Sequence, residues 1–166
     1  MERILVSACL VGAKVRYHGG DAACDHPILK RWLEEGRIVS VCPERDGGLP
    51  TPRPPAEIVG PGAGEGVNRH LAIVRTAAGE NLSDAFRCGA GTALDTVKRY
   101  GIRVAVLKEG SPSCGPSFVY DGTFTGTRVR GRGVTAALLE SAGVRVFSET
   151  SIEAAQAWVE ALERSN

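Results

Sequence analysis

Three cysteines, Cys9, Cys42 and Cys114, each follow an apolar, β-rich run and sit among small or rigid residues. Their neighbours are Ser7, Ala8 and Gly12; Pro43, Gly47 and Gly48; and Ser111, Pro112, Ser113 and Gly115. Small neighbours leave room for a bulky inorganic group near the backbone and leave N–H groups free to donate to sulfur. The chemistry is densest around Cys42. Glu44 follows in Val41-Cys42-Pro43-Glu44, and Arg53 lies in Gly47-Gly48-Leu49-Pro50-Thr51-Pro52-Arg53-Pro54-Pro55-Ala56-Glu57. That stretch has too much Pro and Gly for a helix or a central strand. A stiff loop of this kind holds a thiol, a carboxylate and a guanidinium with little ordering entropy left to lose on binding.

The remaining composition bounds what those thiols can be. The chain has 166 residues, 43% hydrophobic and 23% charged, with a formal net charge of +1. This suits one domain (1–166) with a real core. The small net charge argues against a dedicated nucleic-acid binder, which would carry a basic excess. No apolar run has the length of a membrane span, and Met1-Glu2-Arg3-Ile4-Leu5-Val6 lacks the layout of a signal peptide. The expected setting is therefore the cytoplasm. In that reducing compartment five cysteines, an odd number, are metal ligands, catalytic thiols or plain core residues rather than a disulfide framework. Cys24, in a polar loop, and Cys88, inside a helical pattern, read as plain residues.

The elements explain how distant cysteines could meet. Residues 3–8 read as a buried strand running into Cys9, and residues 37–42 as a second strand delivering Cys42. Between them Asp25 and Pro27 start a helix, with Ile28, Leu29, Trp32 and Leu33 at helical spacing and Gly36 as its C-cap. Residues 58–68 carry glycine at alternate positions and read as a weakly structured flap. A third strand is expected over 71–74, and a long helix from Asn81 or Ser83 to Gly101. The clearest central strand, 103–108, leads to Cys114. A hairpin around Asp121-Gly122, a helix over 134–142 and a strand over 144–147 follow. The last helix opens on a capping box, Thr150-Ser151-Ile152-Glu153, and buries Ile152, Ala155, Trp158, Val159 and Leu162.

This pattern predicts an α/β fold: a single open, mostly parallel sheet with helices on both faces, Rossmann-like. Ligands in such folds gather beyond the carboxyl ends of the strands, which would bring the three cysteines to one edge. Three thiolates suit zinc with one open position, or an iron–sulfur cluster lacking one protein ligand. The residues alone do not choose between these. A zinc- or cluster-binding redox or regulatory protein without turnover is the alternative to an enzyme. An enzyme needs a carboxylate beside the metal, and Glu44 supplies one.

The motifs also carry a resemblance. Val6-Ser7-Ala8-Cys9-Leu10-Val11-Gly12, Arg16-Tyr17, Cys42-Pro43-Glu44, Gly47-Gly48-Leu49, Pro52-Arg53, Ala56-Glu57, Ser111-Pro112-Ser113-Cys114-Gly115 and Gly133-Val134-Thr135-Ala136-Ala137-Leu138-Leu139 are similar to those of the thiouracil desulfidases. The likeness runs from about residue 3 to residue 149. It implies a 4Fe–4S cluster held by Cys9, Cys42 and Cys114, with one iron open. It implies non-redox removal of sulfur from a thiolated pyrimidine, a small-molecule thionucleobase or thionucleotide such as 2- or 4-thiouracil or 4-thiouridine monophosphate. Two departures stand out. Val15 occupies a position where the family often has a further cysteine, and Gly79-Glu80-Asn81-Leu82-Ser83 replaces a more acidic stretch.

On that resemblance Glu44 is the expected general base and Ser111 a hydrogen-bonding or proton-relaying partner. Arg53, Arg16, Lys14 and Ser113 are the expected substrate-binding residues. Each has a plainer alternative: Glu44 could pair with Arg53, Ser111 could close a turn, and Arg53 could lock Glu57.

Overall fold

The computed structural model describes residues 1–166, and its centre is a wholly parallel sheet of four short strands. These are β1 (Ile4–Ser7), β2 (Ile38–Val41), β5 (Val104–Leu107) and β8 (Arg145–Ser148), in the order β2-β1-β5-β8. Ser7 lies opposite Val41, and Val6 opposite Val106. Period-two alternation sends Leu5, Ala105 and Leu107 into one apolar layer. Ile4, Val6, Val104 and Val106 go into the other. Side chains apolar on both faces are what a central parallel sheet requires.

Helices cover both faces, as the sequence pattern predicts. On one side lie α1 (Pro27–Glu34), through Leu29 and Trp32, and α6 (Ile152–Arg164), through Ile152, Ala155 and Val159. Trp32 is fully buried, and its indole N–H donates to Gln156 Oε1 at 2.8 Å, so the large ring leaves no polar atom unpaired. On the other side lie α4 (Ser83–Tyr100) and α5 (Val134–Ser141).

Beyond α4 and α5 a smaller apolar layer forms, and here the structure corrects the sequence. Residues expected to be a weakly structured flap are β3 (Ala56–Val59) and a short helix α3 (Ala63–Asn68). Gly64 is there for close approach: a Cβ would come 2.3 Å from the Gly133 carbonyl carbon. The strand expected over 71–74 is β4 (Ile73–Thr76). It pairs antiparallel with β3 and lies outside the parallel sheet. The Asp121-Gly122 hairpin is wider than expected. It joins β6 (Phe118–Tyr120) to β7 (Arg128–Arg130), and Asp121 N–H donates to the Thr127 carbonyl at 3.0 Å. Ser148, rather than Thr150, provides the cap before α6, accepting from Thr150 N–H at 3.2 Å. Trp158 remains 39% exposed, with the Arg145 guanidinium 5.2 Å from its ring. No helix is long and apolar enough to cross a membrane.

Candidate active site and three-thiol centre

The chain adds β2 on one side of β1 and later β5 on the other, so the direction of growth reverses at β1. The carboxyl ends of these strands flank the topological switch point, where open α/β sheets bind ligands. Cys9 lies in a 3-10 turn (Ala8–Val11) directly after β1, closed by Gly12 at φ +97°. Cys42 follows β2 and caps a one-turn helix α2 (Pro43–Asp46). This turn corrects the expectation that no helix could form here. Proline is well placed at the first helical position, where no N–H is needed. Cys114 stands in a tight turn after β5: Ser111 Oγ accepts from the N–H groups of Ser113 and Cys114 at 3.2 and 3.1 Å. The turn-closing role of Ser111 is therefore present.

Cys9 and Cys114 are buried and Cys42 is partly buried. Burial pushes the Cys9 thiol up to about 11 and the Cys114 thiol to about 12. It raises Cys42 as well. Against this, Arg16 and Lys108 both favour the Cys9 thiolate, and the hydroxyls of Ser7 and Ser113 favour the Cys114 thiolate. The Ser113 Oγ to Cys114 Sγ distance is 3.6 Å. The thiols are near enough for Cys9 to feel Cys42, and Cys114 to feel Cys9. Three thiols at one sheet edge, each raised by burial, suit a metal group whose own positive charge deprotonates its ligands.

The first turn of α2 presents Glu44 to a dense array. Its Oε1 accepts from Arg53 Nε at 3.0 Å, and its Oε2 from Ser113 Oγ at 2.8 Å. Ser111 Oγ stands 3.5 Å from the same Oε2 and 2.9 Å from Ser113 Oγ. One continuous chain of polar contacts thus runs from Arg53 through Glu44 and Ser113 to the Cys114 sulfur. The Arg53 side chain is only 5% exposed. It donates Nη1 to the Pro50 carbonyl and Thr51 Oγ1, and Nη2 to the Val15 carbonyl. Its partners leave little for a substrate phosphate, and Glu57 instead accepts from the N–H groups of Gly122 and Phe124. The Glu57 lock is not what this arginine makes; it holds Glu44.

The other expected substrate residues divide. Arg16 reaches the neighbourhood of Cys9, with its guanidinium 5.8 Å from the Tyr17 ring centre. Lys14 is exposed on the same loop. Val15 packs against the core beside β1, and its carbonyl bonds Arg53. Two charged groups beside Cys9 escape sequence reasoning: Lys108 and Glu149, paired at 2.9 Å. Lys108 ends the clearest strand, but nothing in the sequence ties it to Glu149, which follows the last strand. A cavity of about 470 Å³ lined by Ala63, Glu65, Tyr120, Arg130 and Arg132 lies apart and contains none of these groups.

The fold and the strand-end thiols define a class. Residues 4–151 match the 2-thiouracil desulfurase family, and the chain belongs to it. Among solved structures it is similar to the 4Fe-4S-dependent thiouracil desulfidase TudS, at 42% identity and a TM-score of 0.88, over 96% of this chain and 99% of that one. It is also 46% identical over 149 residues to the uncharacterized protein YbbK of Bacillus subtilis strain 168, covering 90% of this chain and 97% of the relative.

Proposed function

We propose that this chain is a desulfidase that replaces the sulfur of a thiolated pyrimidine with oxygen, releasing it as sulfide. The observation that carries this reading is Glu44, bonded at once to Arg53 and Ser113 and joined through Ser113 to the Cys114 sulfur. Cys9, Cys42 and Cys114 would hold a 4Fe–4S cluster, which leaves one iron without a protein ligand and supplies Lewis acidity toward a soft thiocarbonyl sulfur.

The chain's own residues supply the rest. Glu44 takes a proton from a water molecule whose oxygen forms a bond to the ring carbon. Arg53 fixes the carboxylate so that one oxygen faces the serines. Ser113, hydrogen-bonded to Glu44, and Ser111, bonded to Ser113, provide hydroxyls along which the proton can pass toward the departing sulfur. The carbon–sulfur bond breaks as the carbon–oxygen bond forms, so a thiocarbonyl and water become a carbonyl and hydrogen sulfide without net electron transfer. Arg16 is the cation placed to meet an anionic substrate, and exposed Lys14 is the second candidate on that loop. A free thionucleobase or thionucleotide, 4-thiouridine monophosphate included, fits a site built on loops over a sheet edge. A set of free thiols suits a reducing, cytoplasmic setting.

The test is anaerobic reconstitution with iron and sulfide, then incubation with 2-thiouracil, 4-thiouracil or 4-thiouridine monophosphate and no reductant. Loss of the thiocarbonyl absorbance with stoichiometric sulfide is the expected result. A stable cluster with no turnover on any of these would overturn the desulfidase reading in favour of a redox or regulatory role.

A further inference from the structure

Three large aromatic side chains are exposed: Tyr17, Tyr100 and Trp158. Tyr100 ends α4 and Trp158 lies on α6, and each has an arginine guanidinium by its ring, Arg3 at 5.1 Å and Arg145 at 5.2 Å. Tyr17 stands instead among the thiol-bearing loops, with 39% of its surface open. An aromatic ring left in water forgoes the free energy of its burial.

The residues around Tyr17 tie it to the thiol edge. The Val15 carbonyl is 4.0 Å from Cys42 Sγ and accepts from Arg53 Nη2 at 2.9 Å. Arg16 lies close enough to Cys9 for its charge to favour that thiolate. The Tyr17 carbonyl itself accepts from the Arg53 N–H at 2.7 Å. The ring is also held from the side. Tyr17 and His18 are the central residues of a β-turn, closed by the Gly19 N–H donating to the Arg16 carbonyl at 2.8 Å. His18 Nδ1 accepts from the Gly20 N–H at 2.9 Å, which fixes the imidazole. That imidazole stands edge-on to Tyr17, with ring centres 4.9 Å apart. A tyrosine braced in this way offers a flat, rigid contact surface with little side-chain entropy left to lose on binding.

A flat exposed ring beside a reactive centre matches a planar heteroaromatic ligand, because every nucleobase has a π-face that stacks on such a side chain. On the desulfidase reading, on which this rests, we infer that the pyrimidine ring of the substrate stacks on Tyr17. The thiocarbonyl sulfur points to the thiol centre, and Arg16, 5.8 Å from the same ring, is left to meet an anionic substituent. Tyr17 is then the residue that recognises the base, a task distinct from the proton transfer assigned to Glu44.

The experiment compares wild type with Tyr17→Ala, Tyr17→Leu and Tyr17→Phe, each reconstituted anaerobically and assayed on 4-thiouracil. Tyr17→Leu keeps apolar bulk in the turn and removes only the π-face. Tyr17→Ala and Tyr17→Leu should raise KM about 5- to 150-fold, the weight of one base stacked on an aromatic ring. Their kcat and visible cluster absorbance should stay near wild type, and Tyr17→Phe should restore KM. The inhibition constant of uracil should rise by the same factor, since stacking needs the ring and not the sulfur. Unchanged KM and inhibition constants in Tyr17→Leu would overturn the inference. So would a Tyr17→Phe enzyme as impaired as Tyr17→Leu, or variants that lose kcat and cluster while KM holds, because Tyr17 would then serve the loop and not the base. Wild type that turns over no thiopyrimidine would overturn the desulfidase reading and this inference with it, whereas an active wild type matched in KM by Tyr17→Leu overturns the stacking alone.

Discussion

Replacing Glu44 by glutamine separates catalysis from architecture, because the structure fixes what the amide can keep. Glu44 accepts from Arg53 Nε at 3.0 Å through one oxygen and from Ser113 Oγ at 2.8 Å through the other. Glutamine retains the volume and one acceptor, which can stay on Arg53. Its amino group then faces Ser113, whose hydroxyl can turn to accept. The loss is the charge beside an arginine that is 5% exposed, from a carboxylate side chain that is 16% exposed. Removing a partner outright from so buried a pair costs about 3–5 kcal/mol, whereas an amide that keeps both contacts should cost about 1–3 kcal/mol. Glu44→Gln should therefore fold and bind the cluster. Its turnover should fall about 100- to 10,000-fold, the usual weight of a general base. The assay is sulfide release by the anaerobically reconstituted enzyme, with cluster content from visible absorbance and stability from a urea melt. A fully loaded variant turning over within about threefold of wild type would refute the role of Glu44 as base and leave it as the partner of Arg53.

Gly89→Ala should disturb the centre from behind, because a Cβ there would come 1.8 Å from the Pro43 carbonyl oxygen and push α4 from the turn that carries Cys42 and Glu44. Overpacking of this kind costs about 1–3 kcal/mol, so a lower urea midpoint and poorer cluster retention are expected; an unchanged melt would refute the contact. Acid sensitivity should come partly from the opposite end of the sheet, where the hydrogen bond from Arg103 holds the Glu2 carboxyl below its ordinary 4.5. A depressed carboxyl contributes stability that is present above the unfolded value and lost as pH falls through the folded one, so wild type should weaken steeply below about pH 4.5 while Glu2→Gln, weaker at neutral pH, changes less. Parallel stability curves for the two proteins, measured by urea melts from neutral to acid, would exclude that linkage.

The central sheet was legible because its signals are local and strong. Ile4-Leu5-Val6 and Val104-Ala105-Val106-Leu107 are short apolar runs bounded by breakers, and a helix with Pro27 at its start lies between the first two strands. Such runs read as buried parallel strands. The third layer was not legible for the converse reason. Glycines at alternate positions between 60 and 66 suggest freedom, yet Gly64 is glycine because Gly133 presses on it from another element. A close approach between segments so distant leaves no periodicity in either one. The same holds for Trp158, whose helical spacing matches the buried stripe of α6. Arg145, from the neighbouring strand, gives its ring a cation to lie against and so makes partial exposure tolerable.

The site divides along the same line. The thiols could be placed together because strand ends in a parallel sheet share an edge, and Glu44 could be named because it follows a thiol in sequence. The Glu44–Arg53 pair was among the sequence readings, but its tie to Ser113 and to the first loop could not be read, since the proline loop must fold back for Arg53 N–H to meet the Tyr17 carbonyl at 2.7 Å. That backbone contact ties the loop after Cys9 to the loop after Cys42, and Arg53 then reaches the Val15 carbonyl as well as Glu44. One buried guanidinium thus cross-links two thiol-bearing loops while orienting the carboxylate between them. Its several donors in a rigid plane suit it to that task in a way lysine's point charge does not. The first loop fits this picture: Val15 contributes its carbonyl to Arg53 and its side chain to the core, so neither contribution depends on a thiol at that position.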